Sequence, residues 1–216
     1  MLILLPPSEG KNQPAGKKQL SLSKLAFASE LVGVRSRLVT KALAVAPTAK
    51  AIDVYSGVLY QALDWHSLSE AAKARGEKSV LIVSAIFGVL RPNDSIPNYK
   101  AKIKSSDWKA ELKPALDDLA ADLIIDCRSS TYAGVWQSPA DKTVAVRVFK
   151  KECGKLSVIT HLSKKYRGEL TRVLLKAGKS PKTPTELFEI ASKNFECKLQ
   201  KPKGNLPWYL DLIINF

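Results

Sequence analysis

Two kinds of hydrophobic pattern alternate along the chain. Met1–Leu5, the run from Val80 and Asp122–Cys127 are short and almost continuously apolar, which is how strands covered on both faces read. Between them, apolar residues recur at helical spacing. The best helix of the first quarter spans Arg35–Ala46 and stops at Pro47. Asp53–Leu63 carries Val54, Val58, Leu59 and Ala62 on one stripe, which places Tyr55 off the fully buried face. Ser67-x-x-Glu70 has the form of a capping box, and Gly76 is placed to end the helix it opens. Pro114 suits the first turn of a helix running through Leu116 and Leu119.

Later the period shortens to two. Thr143–Phe149 places Val144, Val146 and Val148 on one face, and Leu156–Thr160 resembles its partner across a Glu152–Lys155 turn, so an antiparallel hairpin is expected. Ser163 is placed to cap a helix whose stripe is Tyr166, Leu170, Val173, Leu174 and Ala177. Thr183-Pro184-Thr185-Glu186 opens another helix to about Lys193. Glu196–Gln200 and Trp208–Ile214 read as closing strands. The sum is a mixed α/β, or α+β, fold with a mixed sheet, surrounding helices and a late antiparallel hairpin. Its length of 216 residues suits a single domain spanning residues 1–216.

Charge adds to this picture. Thirty-four Lys and Arg face twenty Asp and Glu, a net charge of +14, and such an excess speaks of polyanionic partners rather than of fold. The three cysteines, Cys127, Cys153 and Cys197, lie far apart with no Cys-x-x-Cys, and His66 and His161 are the only histidines. Neither a disulfide framework nor a metal site is expected, and no cofactor is implied. Met1–Leu5 lacks a basic flank and is too short for a signal segment, and no run approaches the length of a membrane span. A soluble, cytoplasmic protein is the expectation.

Candidate chemistry gathers where apolar runs end. The run from Val80 passes through Gly88 into a loop holding Arg91, Asp94 and Tyr99 between Pro92 and Pro97. Ligands collect at such strand ends in open α/β sheets, although Arg91 and Asp94 could equally close the loop as an ion pair. Ser8-Glu9-Gly10-Lys11 follows the first strand with hydroxyl, carboxylate and ammonium, but without P-loop spacing. Arg128, Ser129 and Ser130 follow the Asp122–Cys127 run. Lys164, Lys165 and Arg167 occupy the first turns of a helix, where basic side chains oppose the dipole unless an anion sits there.

Five ordered blocks resemble the YaaA family of peroxide-stress proteins. They are Leu4-Leu5-Pro6-Pro7-Ser8-Glu9-Gly10-Lys11, Val54-Tyr55-Ser56-Gly57-Val58-Leu59-Tyr60, Gly88-Val89-Leu90-Arg91-Pro92-x-Asp94-x-Ile96-Pro97-x-Tyr99, Asp126-Cys127-Arg128-Ser129-Ser130-x-Tyr132 and Lys164-Lys165-x-Arg167-Gly168. The resemblance implies a protein that binds duplex DNA through a basic cleft with little sequence preference, carries a helix-hairpin-helix-like element, and limits oxidative damage by intracellular iron. The segment after Tyr99 is shorter here than in familiar members, which often carry a Met-Gly loop. Ser8, Lys11, Arg91, Tyr99, Arg128, Ser129, Ser130, Lys164, Lys165 and Arg167 are the DNA- or phosphate-binding candidates. The alternative is an enzyme acting on a nucleotide or another phosphorylated small molecule in the same cleft, with Glu9, Tyr55 and Lys165 as catalytic candidates.

Overall fold

The computed structural model describes residues 1–152, 154–159 and 162–215. Ten strands are present among them: β1 (Leu2–Leu5), β2 (Thr48–Lys50), β3 (Val80–Ser84), β4 (Gly88–Leu90), β5 (Ser95–Pro97), β6 (Ile124–Asp126), β7 (Thr143–Glu152), β8 (Lys155–Val158), β9 (Glu196–Gln200) and β10 (Trp208–Asn215). The helices are α1 (Ala28–Leu38), α2 (Lys41–Val45), α3 (Ala51–Val54), α4 (Val58–Leu63), α5 (Glu70–Ser79), α6 (Ser105–Leu116), α7 (Ser130–Ala133), α8 (Ser163–Lys176) and α9 (Pro184–Ser192).

The main sheet runs β4-β3-β1-β6-β7-β10-β9, with β8 added to β7. Strands β3, β1, β6, β7 and β10 are parallel. Antiparallel β4, β8 and β9 complete the mixed sheet, and β2 and β5 form a small antiparallel pair of their own. This is the mixed α/β fold that the pattern predicts, late hairpin included. Alternate residues of the inner strands point to opposite faces, each with its own core. Ile3, Leu5, Val80 and Ile82 pack with α4, α5, α8 and α9 residues such as Leu59, Ala72, Leu170 and Leu187. Leu2, Leu4, Leu81 and Val83 pack with Leu31, Val34, Trp108 and Leu112 from α1 and α6. Cover on both faces is why these strands read as unbroken apolar runs.

Several boundaries differ from the periodicity. The Arg35–Ala46 helix begins earlier and is two helices, because Thr40 leaves the helical conformation and its hydroxyl accepts from Leu43 N. Asp53–Leu63 is likewise broken at Tyr55–Gly57, and Tyr55 is only 1% exposed, not off the buried face. Ser69 rather than Ser67 caps α5. Gly76 lies inside α5, where a Cβ would come within 2.5 Å of the Trp65 ring. Pro114 falls in the last turn of α6, which starts at Ser105. The run from Val80 turns back on itself at residues 85–87, so that β4 pairs antiparallel with β3. The β7–β8 hairpin and the Thr183 cap of α9 form as expected, the latter with its hydroxyl accepting from Glu186 N. The expected turn residue Cys153 and strand end Thr160 lie outside the described residues. Among those residues, no helix is long and apolar enough to cross a membrane.

Candidate functional site

The carboxyl ends of β1 and β3 meet a loop from α3–α4. Two of the ordered blocks cross there as one antiparallel bridge between Lys11 and Tyr55, fixed by Ser56 N donating to Gly10 O and Asn12 N to Val54 O. Gly57 N donates to Ser8 Oγ at 2.8 Å. A Cβ on Gly57 would lie 2.2 Å from that oxygen, so only glycine permits this approach. The hydroxyls of Tyr55 and Tyr99 are 2.8 Å apart, and Tyr99 continues at 2.7 Å to Ser84 Oγ at the end of β3. Ser84 Oγ also accepts from Phe87 N, which ties the chain of hydroxyls to the β3–β4 turn. Tyr60 stacks on Tyr55 with ring centroids 5.3 Å apart and donates to Pro6 O. Burial pushes the Tyr99 hydroxyl up to about 12 and those of Tyr55 and Tyr60 well above the ordinary phenol range. These phenols stay protonated and serve as a rigid floor.

Lys11 lies on that floor. Its Nζ is 4.4 Å from the Tyr99 ring centroid and 5.7 Å from that of Tyr55. Burial lowers its pKa, and the charge of Glu9 opposes the shift. Glu9 itself is exposed, and its charge also raises the Tyr132 hydroxyl, after desolvation as the main cause. Ser8, Glu9, Lys11, Tyr55, Tyr99 and Tyr132 therefore share one neighbourhood.

Arg128 is at the same end of the sheet, beyond β6, but its guanidinium is already used. Nε and Nη2 fork onto Asp126 at 2.9 and 2.8 Å, Nη2 also reaches Trp136 O, and Nη1 reaches Tyr132 O. The side chain is 1% exposed. The pair braces the loop that carries the exposed Ser129 and Ser130. Arg167 donates to Val146 O, with Nε buried and unpartnered, and its charge opposes the burial that lifts the Cys127 thiol to about 12. Lys164 is exposed, and Lys165 reaches Glu169 at 3.7 Å. Lys100, Lys102 and Lys104 are exposed on the stretch between Tyr99 and α6. Trp108 of α6 bonds Ala85 O in the β3–β4 turn, which keeps this stretch at the same end.

Arg91 is elsewhere. Because β4 runs back along β3, Arg91 emerges at the amino end of β3, where its Nη1 donates to Lys78 O. Arg91, after β4, and Arg128, after β6, are separated in the sheet by β3 and β1, and each guanidinium is held by its own partners, Lys78 O for one and Asp126 for the other. Asp94 closes the loop through backbone groups, accepting from Arg91 N and Ala26 N at 2.8 and 3.0 Å. Burial raises its pKa, against those bonds and the charges of Arg35 and Arg91. Arg35, not singled out in the sequence, is fully buried and pins the β3–β4 turn through Phe87 O and Val89 O. Burial draws its pKa down to about 10. Within a helix it looks like any surface arginine, so no local signal marked it. Ser84, Tyr60 and Tyr132 were also missed as parts of the neighbourhood, although Tyr60 and Tyr132 end two of the quoted blocks. Among the described residues, no group of three or more His, Cys, Asp or Glu side chains is arranged to hold a metal ion.

The chain is similar to a UPF0246 protein from Streptomyces coelicolor, 32% identical over 100% of the chain and 99% of that protein. A UPF0246 protein from Corynebacterium efficiens is 34% identical over 88% and 91%. An uncharacterized protein from Campylobacter jejuni is 29% identical over 94% and 96%. The first alignment spans 259 positions, so that relative carries segments which this chain of 216 residues lacks. A family profile described as peroxide stress protein YaaA matches residues 18–201. The chain belongs to the YaaA family, the peroxide-stress proteins also known as UPF0246.

Proposed function

We propose that the chain binds duplex DNA, with little sequence preference, through the carboxyl-end edge of its parallel strands, and that this serves a peroxide-stress response that limits damage by intracellular iron. The observation that carries the reading is the state of the lysines there. Lys100, Lys102, Lys104 and Lys164 are exposed. The carboxylate pairs found among the described residues engage other lysines: Lys73, Lys113, Lys150, Lys151, Lys165 and Lys179. Four uncompensated ammonium groups at one end of a molecule carrying +14 suit phosphates, which reward neutralisation by releasing counterions. Arg91 and Arg128 are left out of this surface because backbone and Asp126 oxygens already hold them.

Fluorescence anisotropy of a labelled duplex, titrated across salt, tests the reading. Four phosphate contacts correspond to a slope of log K against log[salt] of about −3.6. A flat response, or no binding at low salt, would remove it. The second reading, an enzyme acting on a phosphorylated small molecule, is favoured by the crossing of Ser8–Lys11 with Tyr55–Gly57. That crossing places hydroxyl, carboxylate and ammonium groups together, which a DNA-coating surface does not need.

A further inference from the structure

Lys11 differs from the other lysines of its edge. Lys100, Lys102, Lys104 and Lys164 extend into solvent, whereas Lys11 is partly buried against two phenol rings. Among the described residues no carboxylate comes within 4 Å of it, and the Glu9 charge acts only from farther off. The rings return part of the hydration the ammonium loses, about 0.5–2 kcal/mol, but they do not accept a strong hydrogen bond as a carboxylate would. Their hydroxyls are turned to each other and to Ser84. Such a seat favours the uncharged amine more than open solvent does, in line with the direction of its pKa. A desolvated lysine beside an aromatic wall is a setting for amine nucleophiles.

We propose that Lys11 is a carbonyl-reactive amine that condenses with a small aldehyde or oxo acid bearing an anionic group. The Nζ lone pair forms the C–N bond while the C=O π pair moves to oxygen, which takes up a proton. Nζ releases a proton to the Glu9 carboxylate through water. Glu9 returns it to the hydroxyl of the carbinolamine, which departs as water as the C=N bond forms. Amine, carbonyl and the one proton that the oxygen takes up from solvent thus give a protonated imine and one water, with no oxidant or reductant. Lys100, Lys102 and Lys104 attract the anionic group of the reactant, the one feature shared with the DNA reading. Tyr55 and Tyr99 act as positioning residues, holding the amine out of bulk water.

The test is reductive trapping. Glyoxylate at limiting concentration with cyanoborohydride converts imines to carboxymethyl-lysines, which peptide mass spectrometry quantifies position by position. Lys11 is expected to be modified several-fold faster than Lys100 and Lys102 near neutral pH. In Tyr99→Ala, which opens the seat of Lys11 to water, its rate should fall to theirs while theirs stay unchanged. Equal rates in the unsubstituted protein, or an unchanged Lys11 rate in Tyr99→Ala once its fold is verified by circular dichroism, would overturn the proposal. Tyr99→Phe keeps the ring and should keep the fast rate, and loss of that rate would contradict the role given to the ring. Trapping is read without nucleic acid, so failure of the protein to bind DNA would count against the DNA reading alone.

Discussion

Arg128→Ala separates a brace from a ligand group. The guanidinium makes two bonds to Asp126 and one each to Tyr132 O and Trp136 O, between 2.8 and 3.2 Å. Truncation leaves the Asp126 carboxylate, whose side chain is 10% exposed, with Arg128 N as its remaining donor from this set. Removing one partner of a buried pair costs about 3–5 kcal/mol, because the other charge stays desolvated. That is a large share of the 5–15 kcal/mol by which domains are stable. At about 2–4 °C per kcal/mol for a chain of this length, melting should fall by roughly 6–20 °C. Arg128→Lys keeps the charge but loses the fork and should recover only part of it. Differential scanning calorimetry gives the stability, and anisotropy at a temperature where both variants are folded gives DNA affinity. Unchanged melting with lost DNA binding would show that the guanidinium is a ligand group and that its bonds to Asp126 contribute little.

Other expectations follow from the same contacts. In Gly168→Ala, the added Cβ would lie 2.1 Å from Leu59 O, so α8 and α4 must part, at about 1–3 kcal/mol in urea denaturation; a change under about 0.5 kcal/mol would contradict the close crossing. Tyr99→Phe strands the Tyr55 and Ser84 hydroxyls and should cost about 1–3 kcal/mol, measured in the same way. Lys11→Met should be at least as stable as the parent at neutral pH. A lysine whose folded pKa is lowered weakens the fold while charged, so the difference should shrink as pH rises through the folded pKa toward the ordinary lysine range. A variant that is less stable at neutral pH and gains relative to the parent as pH rises would show the opposite sign.

Strand interiors were the most legible part of the sequence. Leu2–Leu5 and Val80–Val83 are apolar throughout because helices cover both faces, and Thr183-Pro184-Thr185-Glu186 carries its cap in four adjacent residues. What failed depended on pairing between distant segments. Tyr55 leaves its helix and becomes buried because Lys11 bridges to it from the first loop, a contact no periodicity contains. Arg91 looked like a strand-end ligand because the reversal at residues 85–87 hides inside one apolar run. Gly88, with φ +70° and the Trp108 ring 2.3 Å from where a Cβ would sit, was the one local sign of that reversal. The blocks of resemblance located the neighbourhood of Ser8, Lys11, Tyr55 and Tyr99. They did not distinguish side chains that face solvent from those, like Arg128, that hold the loops in place.

The claim that DNA binds at the carboxyl-end edge is tested most directly by moving the same charge change around the molecule. Lys100, Lys102, Lys104 and Lys164 changed together to Gln remove four charges from that edge. Lys78, Lys176, Lys179 and Lys193 changed to Gln remove four elsewhere. Lys78 is beside Arg91 at the amino end of β3, and the end of α8 bearing Lys176 is held there by Arg75, which donates to Leu175 O. Both variants have the same net charge, so long-range attraction alone would weaken them alike. The account predicts that the edge variant loses most of its duplex affinity and flattens the salt slope by about 3–4, while the other keeps a slope close to the parent's. Equal losses in the two variants would contradict it.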